Sequence, residues 1–336
     1  MDGLIEKAKS VIGSDTLEDY KITPTNFPDD FKQNAPELSS LLNHSSFIEK
    51  AGRYEQHDSV AITSQDKFKK FAHQATWTVF SAAIAGSLLA ALAAADFKPN
   101  NFLTVVLFLL GLISTIGGCF AVFRLHQIKS EKLLERWMAA RAKAETERLG
   151  YYNAVSRYLI DNHQTDIYLQ LLFISMFKRY QLETQCLYYT SRSRDHRFSL
   201  EKTSQIGAVA AFILALGSGA LGMTGAFMPE LLPFAALGTI GAAITAVASR
   251  REELNQDERN AERYSRTADI LSKIAEKYDD VLAVINKGNN PEIIIEYVDA
   301  VNDQLSLEHR QWTSDASEMS SALNALEESI SDLNKG

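Results

Sequence analysis

Cysteine is nearly absent from this sequence: Cys119 and Cys186 are the only two in 336 residues. A disulfide-held fold is thereby excluded, the more so because Cys119 falls in an apolar run and Cys186 in a stretch that reads as a cytoplasmic helix. Charge is missing from four long runs. Residues 72–95, 102–123, 203–228 and 231–249 contain no Asp, Glu, Lys or Arg. Proton relays, voltage sensors and coupled transporters depend on such groups at membrane depth, so those classes are disfavoured. Catalytic signatures are missing too. There is no phosphate-binding P-loop, dinucleotide fingerprint, paired histidines on one helix face or nucleophile elbow. Gly217-Ser218-Gly219-Ala220-Leu221-Gly222 has part of the dinucleotide spacing, but it sits inside an apolar run where helix packing accounts for it. The seven histidines are scattered. The expectation is therefore a protein that is not an enzyme and holds no cofactor or metal.

What is present is apolar length. A helix needs roughly 20 residues to cross a hydrocarbon core, and each of the four runs provides about that many. Asp96-Phe97-Lys98-Pro99-Asn100-Asn101 separates the first two and Pro229-Glu230 the last two, which gives two hairpins. The fold class expected is an all-α membrane protein with four transmembrane helices, extended by long cytoplasmic helical bundles. Met1 to Ser10 carries Asp2, Glu6, Lys7 and Lys9 and no apolar core, so the first span is expected to direct insertion itself.

Orientation follows from the basic residues beside the spans. Lys67, Lys69 and Lys70 precede the first, Arg124 and Lys129 follow the second, Arg192, Arg194, Arg197 and Lys202 precede the third, and Arg250 and Arg251 follow the fourth. The hairpin loops offer only Lys98. Both termini and the long central segment are therefore expected to be cytoplasmic. The net charge of −8 argues against direct nucleic-acid binding, while the basic membrane edge suits the anionic headgroups of a lipid bilayer.

Along the chain, Leu4, Ile5, Ala8 and Val11 suggest a short amphipathic helix, and residues 14–46 a linker with short helical turns, so residues 1–45 form one segment. Residues 46–162 make a first two-span unit, in which the second span runs on as one helix from Arg124 to Ile160. Residues 163–287 make a second such unit, and residues 288–336 a C-terminal cytoplasmic helix. Tyr264, Ala268, Leu271, Ala275, Tyr278, Leu282 and Ile285 mark a bundle seam, and Gly288 to Pro291 a stop followed by a start. The two units read as a duplication: Arg53-Tyr54 and Thr63-Ser64 before the first hairpin echo Arg179-Tyr180 and Thr190-Ser191 before the second.

Small residues recur along the spans. Ala82, Gly86, Ala90 and Ala94 mark the first, Gly111, Thr115 and Cys119 the second, Gly207, Ala211, Ala215 and Gly219 the third, Gly238, Ala242 and Ala246 the fourth. In lipid such stripes let helix backbones approach, within one protomer or in a homo-oligomer. Any conducting path would be lined by residues such as Thr76, Ser81, Ser87, Thr115, Ser218, Thr224 and Thr239, or closed by an apolar constriction.

Three stretches carry a family likeness: Leu134 to Glu145 with Trp137, Arg141 and Glu145 just after the first hairpin, Arg53-Tyr54 before it, and Glu308-His309-Arg310-Gln311-Trp312 late in the chain. Together they resemble the SLATT superfamily, bacterial two-span effectors linked to nucleotide-second-messenger and related antiphage systems. The resemblance implies an antiviral defence effector that oligomerises and permeabilises the inner membrane, or opens a pore, when an operon-encoded sensor or second-messenger partner signals. The other reading is a membrane scaffold that recruits a cytoplasmic complex, for which the acidic stretch Glu318 to Asp332 would be a docking surface.

Overall fold

The computed structural model describes residues 2–13, 29–94, 101–225, 227–228, 256–288 and 290–333. All regular structure in them is helical: α1 (Asp2–Ile12), α2 (Asp29–Asn34), α3 (Pro36–Leu42), α4 (Ser45–Ala94), α5 (Asn101–Ser130), α6 (Leu133–His163), α7 (Ile167–Phe177), a π turn (Lys178–Glu183), α8 (Thr184–Gly225), α9 (Asp257–Glu276), α10 (Tyr278–Lys287) and α11 (Ile293–Leu333). They fall into two compact units. A bundle unit comprises Met1–Thr63, Arg136–Asp195 and Arg259–Ser314; a hairpin unit comprises Ser64–Glu135, His196–Glu258 and Asp315–Gly336.

The bundle unit forms around α7. Residues 169–177 of that helix are all buried, because IYLQLLFISMF is apolar on every side. Its start is set by Asp166, whose carboxylate accepts from the Leu169 amide at 3.0 Å. The buried Gln170 donates to the carbonyls of His163 and Gln164 at 3.1 and 2.8 Å and so closes the turn out of α6. Tyr151, Tyr152 and Phe177 follow one another with ring centres 5.2 Å apart, and Tyr297 lies 6.2 Å from Phe177. Phe47, Leu172, Leu271, Leu282, Val298 and Leu305 complete the core. The α10 helix ends on Gly288 at φ +69°, a conformation that only glycine adopts without strain.

The N-terminal amphipathic helix forms as expected, with Ile5 and Val11 packed against the core beside Ala8. Ala8 and Ile12 are its buried residues, whereas Leu4 is exposed. The α1 helix stops at Gly13, φ +74°, beside Arg179, whose guanidinium donates to the Ile12 carbonyl.

Two helices expected to be regular are not. The run from Arg124 to Ile160 is interrupted at Glu131 and Lys132, with Lys132 at φ +50°, so α5 and α6 are separate helices. Neither Gly nor Pro stands there, and the break lies between two buried apolar anchors, Ile128 and Leu133. The helix expected from Asp166 to Arg197 contains the π turn at Lys178–Glu183. A π turn accommodates one extra residue without ending the helix. Arg53-Tyr54 lies ten residues before Thr63-Ser64, whereas Arg179-Tyr180 lies eleven before Thr190-Ser191. The π turn falls within that second interval, and Tyr54 and Tyr180 are both buried while Thr63 and Thr190 are both exposed.

Three of the described helical paths are long and apolar enough to cross a membrane: those holding residues 72–93, 102–123 and 203–224. The stretch 231–249 expected as a fourth span lies outside the described residues.

Candidate membrane hairpins and charge network

In the hairpin unit, α4 and α5 pack through alanine and glycine. Ala75, Ala82 and Ala85 of α4 and Gly118 and Ala121 of α5 are buried. At Gly117 a methyl group would meet the Thr78 carbonyl oxygen at 3.1 Å and the Ala82 methyl at 3.2 Å, so the absence of a side chain lets the backbones approach. Ser114 donates across the pair to the Ala82 carbonyl at 3.2 Å.

Of the residues singled out in the sequence, Ala82 lies in this contact. Gly86 is half-buried, with Ser114 Oγ 3.5 Å from where its Cβ would be, and Ala90 is exposed. Gly111 is half-buried, while Thr115 and Cys119 are exposed, so the packing face of α5 lies to one side of that stripe. The reason is geometric: a strict spacing of four drifts around a helix, whereas Ser114, Gly118, Ala121 and Leu125 alternate four and three and stay on one seam. On α8, Gly207 is half-buried and Ala215 and Gly219 are exposed; Ala211 lies in the same helix. Gly238 and Ala242 lie outside the described residues.

The hydroxyl groups in the spans are mostly turned back on their own helices. Thr76 donates to Ala72, Ser81 to Trp77, Thr115 to Gly111 and Thr224 to Ala220, at 2.9 Å in each case. This satisfies each hydroxyl where no water is at hand.

At the start of α9, Asp257 is almost fully buried. Its carboxylate lies 2.6 Å from His196 Nδ1 and accepts from Ser199 at 2.8 Å, which ties α8 to α9 on either side of residues 203–249.

The bundle unit carries a buried charge network. Glu145 of α6 pairs with Arg141 at 2.7 Å and with Arg148 at 2.5 Å, and Arg141 reaches Asp58 of α4 at 3.2 Å. Burial alone would raise the Glu145 carboxyl; Arg148 and Arg141 outweigh it and hold the group below the usual carboxylate range. Nearby in the same unit, Glu308 of α11 accepts from the Tyr189 hydroxyl at 3.0 Å and pairs with Arg263 of α9 at 3.3 Å. Here burial prevails over Arg263 and Tyr189, and the carboxyl titrates above its ordinary value. Trp137 and Trp312 meet edge to face with ring centres 5.4 Å apart, and His309 lies 5.8 Å from Trp312. Burial lowers the His309 imidazole, and Glu145 and Arg141 both act on it.

The residues that carried the family likeness therefore converge. Trp137, Arg141, Glu145, His309 and Trp312 meet in one region of the bundle, although more than 160 positions separate its ends in sequence, while Arg310 is exposed. Tyr189, Arg263 and Ser114 were not foreseen. Tyr189 and Arg263 sit in polar stretches that read equally well as solvated helix faces.

Residues 177–312 match the family model described as SMODS and SLOG-associating 2TM effector domain 1. This segment carries the SLATT signature. It takes in the apolar run of α8, Arg263, Glu308 and Trp312; the first hairpin and the Trp137 segment lie before it. No curated protein and no solved structure matches the chain. Over residues 177–312 the chain is similar to this two-span effector family, and three of its described helices are long and apolar enough to cross a membrane.

Proposed function

We propose that this protein is the membrane-embedded effector of a bacterial antiphage system, which self-assembles and permeabilises the inner membrane when a partner signals. The observation that carries this reading is the match of residues 177–312 to a two-span effector family whose description names SMODS and SLOG association. The reading takes an operon-encoded sensor or a nucleotide signal as the partner. The reading includes residues 231–249 as a fourth span, a duplicated hairpin with units at 46–162 and 163–287, and both termini in the cytoplasm.

Two structural features support it. The α4 and α8 helices each run from bundle residues into apolar span residues within one element, so a change in bundle packing can be passed along a helix that is already formed. The span hydroxyls named above are already bonded to their own backbones, so one hairpin offers little polar lining and a conducting path calls for assembly.

The test is expression in a bacterial host, with and without the neighbouring genes and an infecting phage, followed with a membrane-potential dye. Depolarisation that requires the partner and the trigger is expected. A membrane that stays polarised when all components are present would overturn the reading.

A further inference from the structure

The base of the first hairpin holds a cation that no carboxylate among the described residues pairs with. Arg124 is the first charged residue after the apolar run 102–123. Its guanidinium carbon lies 4.7 Å from the ring centres of both Phe71 and Phe120 and 5.8 Å from that of Phe123. Nη1 donates to the Gln127 side chain at 2.6 Å, but the buried Nε has no hydrogen-bond acceptor. Among the described residues no carboxylate pairs with Arg124, Lys67 or Lys70. The two lysines are exposed on α4 within about one turn of Phe71; Asp66, also exposed, is the acidic residue beside them.

A guanidinium offers five donors in a planar fork, and stacking on rings fixes that plane without using any of them. A phosphate group presents the oxygen acceptors the fork needs. The junction of an uncharged span with a polar helix is the depth at which a bilayer places its phosphates. We propose that Arg124, held by Phe71, Phe120 and Phe123 and flanked by Lys67 and Lys70, binds the phosphate of an anionic phospholipid headgroup. The rings do the positioning, and the Nη N–H groups not given to Gln127 do the binding. This adds a specific lipid contact at the first hairpin, outside the segment that matches the effector family.

The test uses the full-length protein in phosphatidylcholine vesicles, with spin-labelled phosphatidylglycerol or spin-labelled phosphatidylcholine as the probe. The wild type is expected to favour the anionic probe. Arg124→Gln should lower that preference about fivefold, the effect expected of one cation at a charged leaflet. Arg124→Lys should retain part of it, since it keeps the charge and loses the fork, and Lys287→Gln, a charge loss in the bundle unit, should leave it unchanged. Equal preference in the wild type and Arg124→Gln would overturn the proposal. So would loss of the wild-type preference on adding inorganic phosphate, which would indicate a site for a free anion. The experiment reads lipid association and not leakage, so it fails or succeeds independently of the effector reading.

Discussion

The bundle unit buries large side chains and the hairpin unit buries small ones. In the first, Tyr151, Tyr152, Phe173 and Phe177 are fully enclosed, and charged residues join them in pairs. In the second, Ala75, Ala82, Ala85 and Ala121 fill the contact and Gly117 removes the side chain altogether. The contrast follows from the solvent. In water, helix association is driven by apolar area, so bulky rings are advantageous. In lipid that drive is absent, and close backbone contact takes its place. The same contrast predicts that truncation will damage the bundle, and enlargement the hairpin.

The largest effect is expected from Phe177→Ala, which opens a cavity in the aromatic core and should cost about 3–5 kcal/mol. Denaturant unfolding of the solubilised protein, followed through the near-ultraviolet signal of the bundle aromatics, measures it. Glu145→Ala should come close, at about 3–4 kcal/mol, because it removes the buried carboxylate that Arg148 and Arg141 share. Replacing Glu145 and Arg148 together by Leu and Met should recover much of that loss, which a double-mutant cycle would show.

Gly117→Leu should cost the hairpin about 1–3 kcal/mol through forced separation of α4 and α5. Cross-linking between cysteines introduced at Ala82 and Ser114 reports it, and Gly111→Ala is the mild control, since its methyl would meet only Leu89 at 4.0 Å.

High pH separates the units by a different route. Burial raises the phenols of Tyr54, Tyr189 and Tyr264, and that of Tyr278 to about 12, all of them in the bundle. An unfolded tyrosine ionises near pH 10. A folded pKa raised above that value gives stability that is whole below about pH 10 and is lost as the pH rises towards 12. Tyrosine absorbance at alkaline pH should therefore rise together with loss of the bundle signal. The smallest effect is expected of Thr115→Ala: its exposed hydroxyl bonds only to the Gly111 carbonyl, and the change should stay within about 0.5 kcal/mol.

Much of this organisation was legible in the sequence. Apolar length marked the spans 72–95, 102–123 and 203–228, and the seam from Tyr264 to Ile285 marked the helices that line the core. Trp137 and Trp312, far apart in the chain, meet edge to face in the bundle. Other features carry no local mark. The helix break at Lys132 involves neither Gly nor Pro, and α7 is apolar all round, so no periodicity singles out a face. The partners of Glu308 come from helices far away in the chain, and only the assembled bundle shows that Tyr189 and Arg263 meet it.

The central claim, that this chain is a permeabilising effector, is tested most directly by dye release from vesicles containing the purified full-length protein, with the oligomer size measured in the same preparation. The account predicts release from a discrete oligomer when the products of the neighbouring genes and their activating signal are added, and tight vesicles without them. Vesicles that stay tight with every component present and the oligomer formed would contradict it.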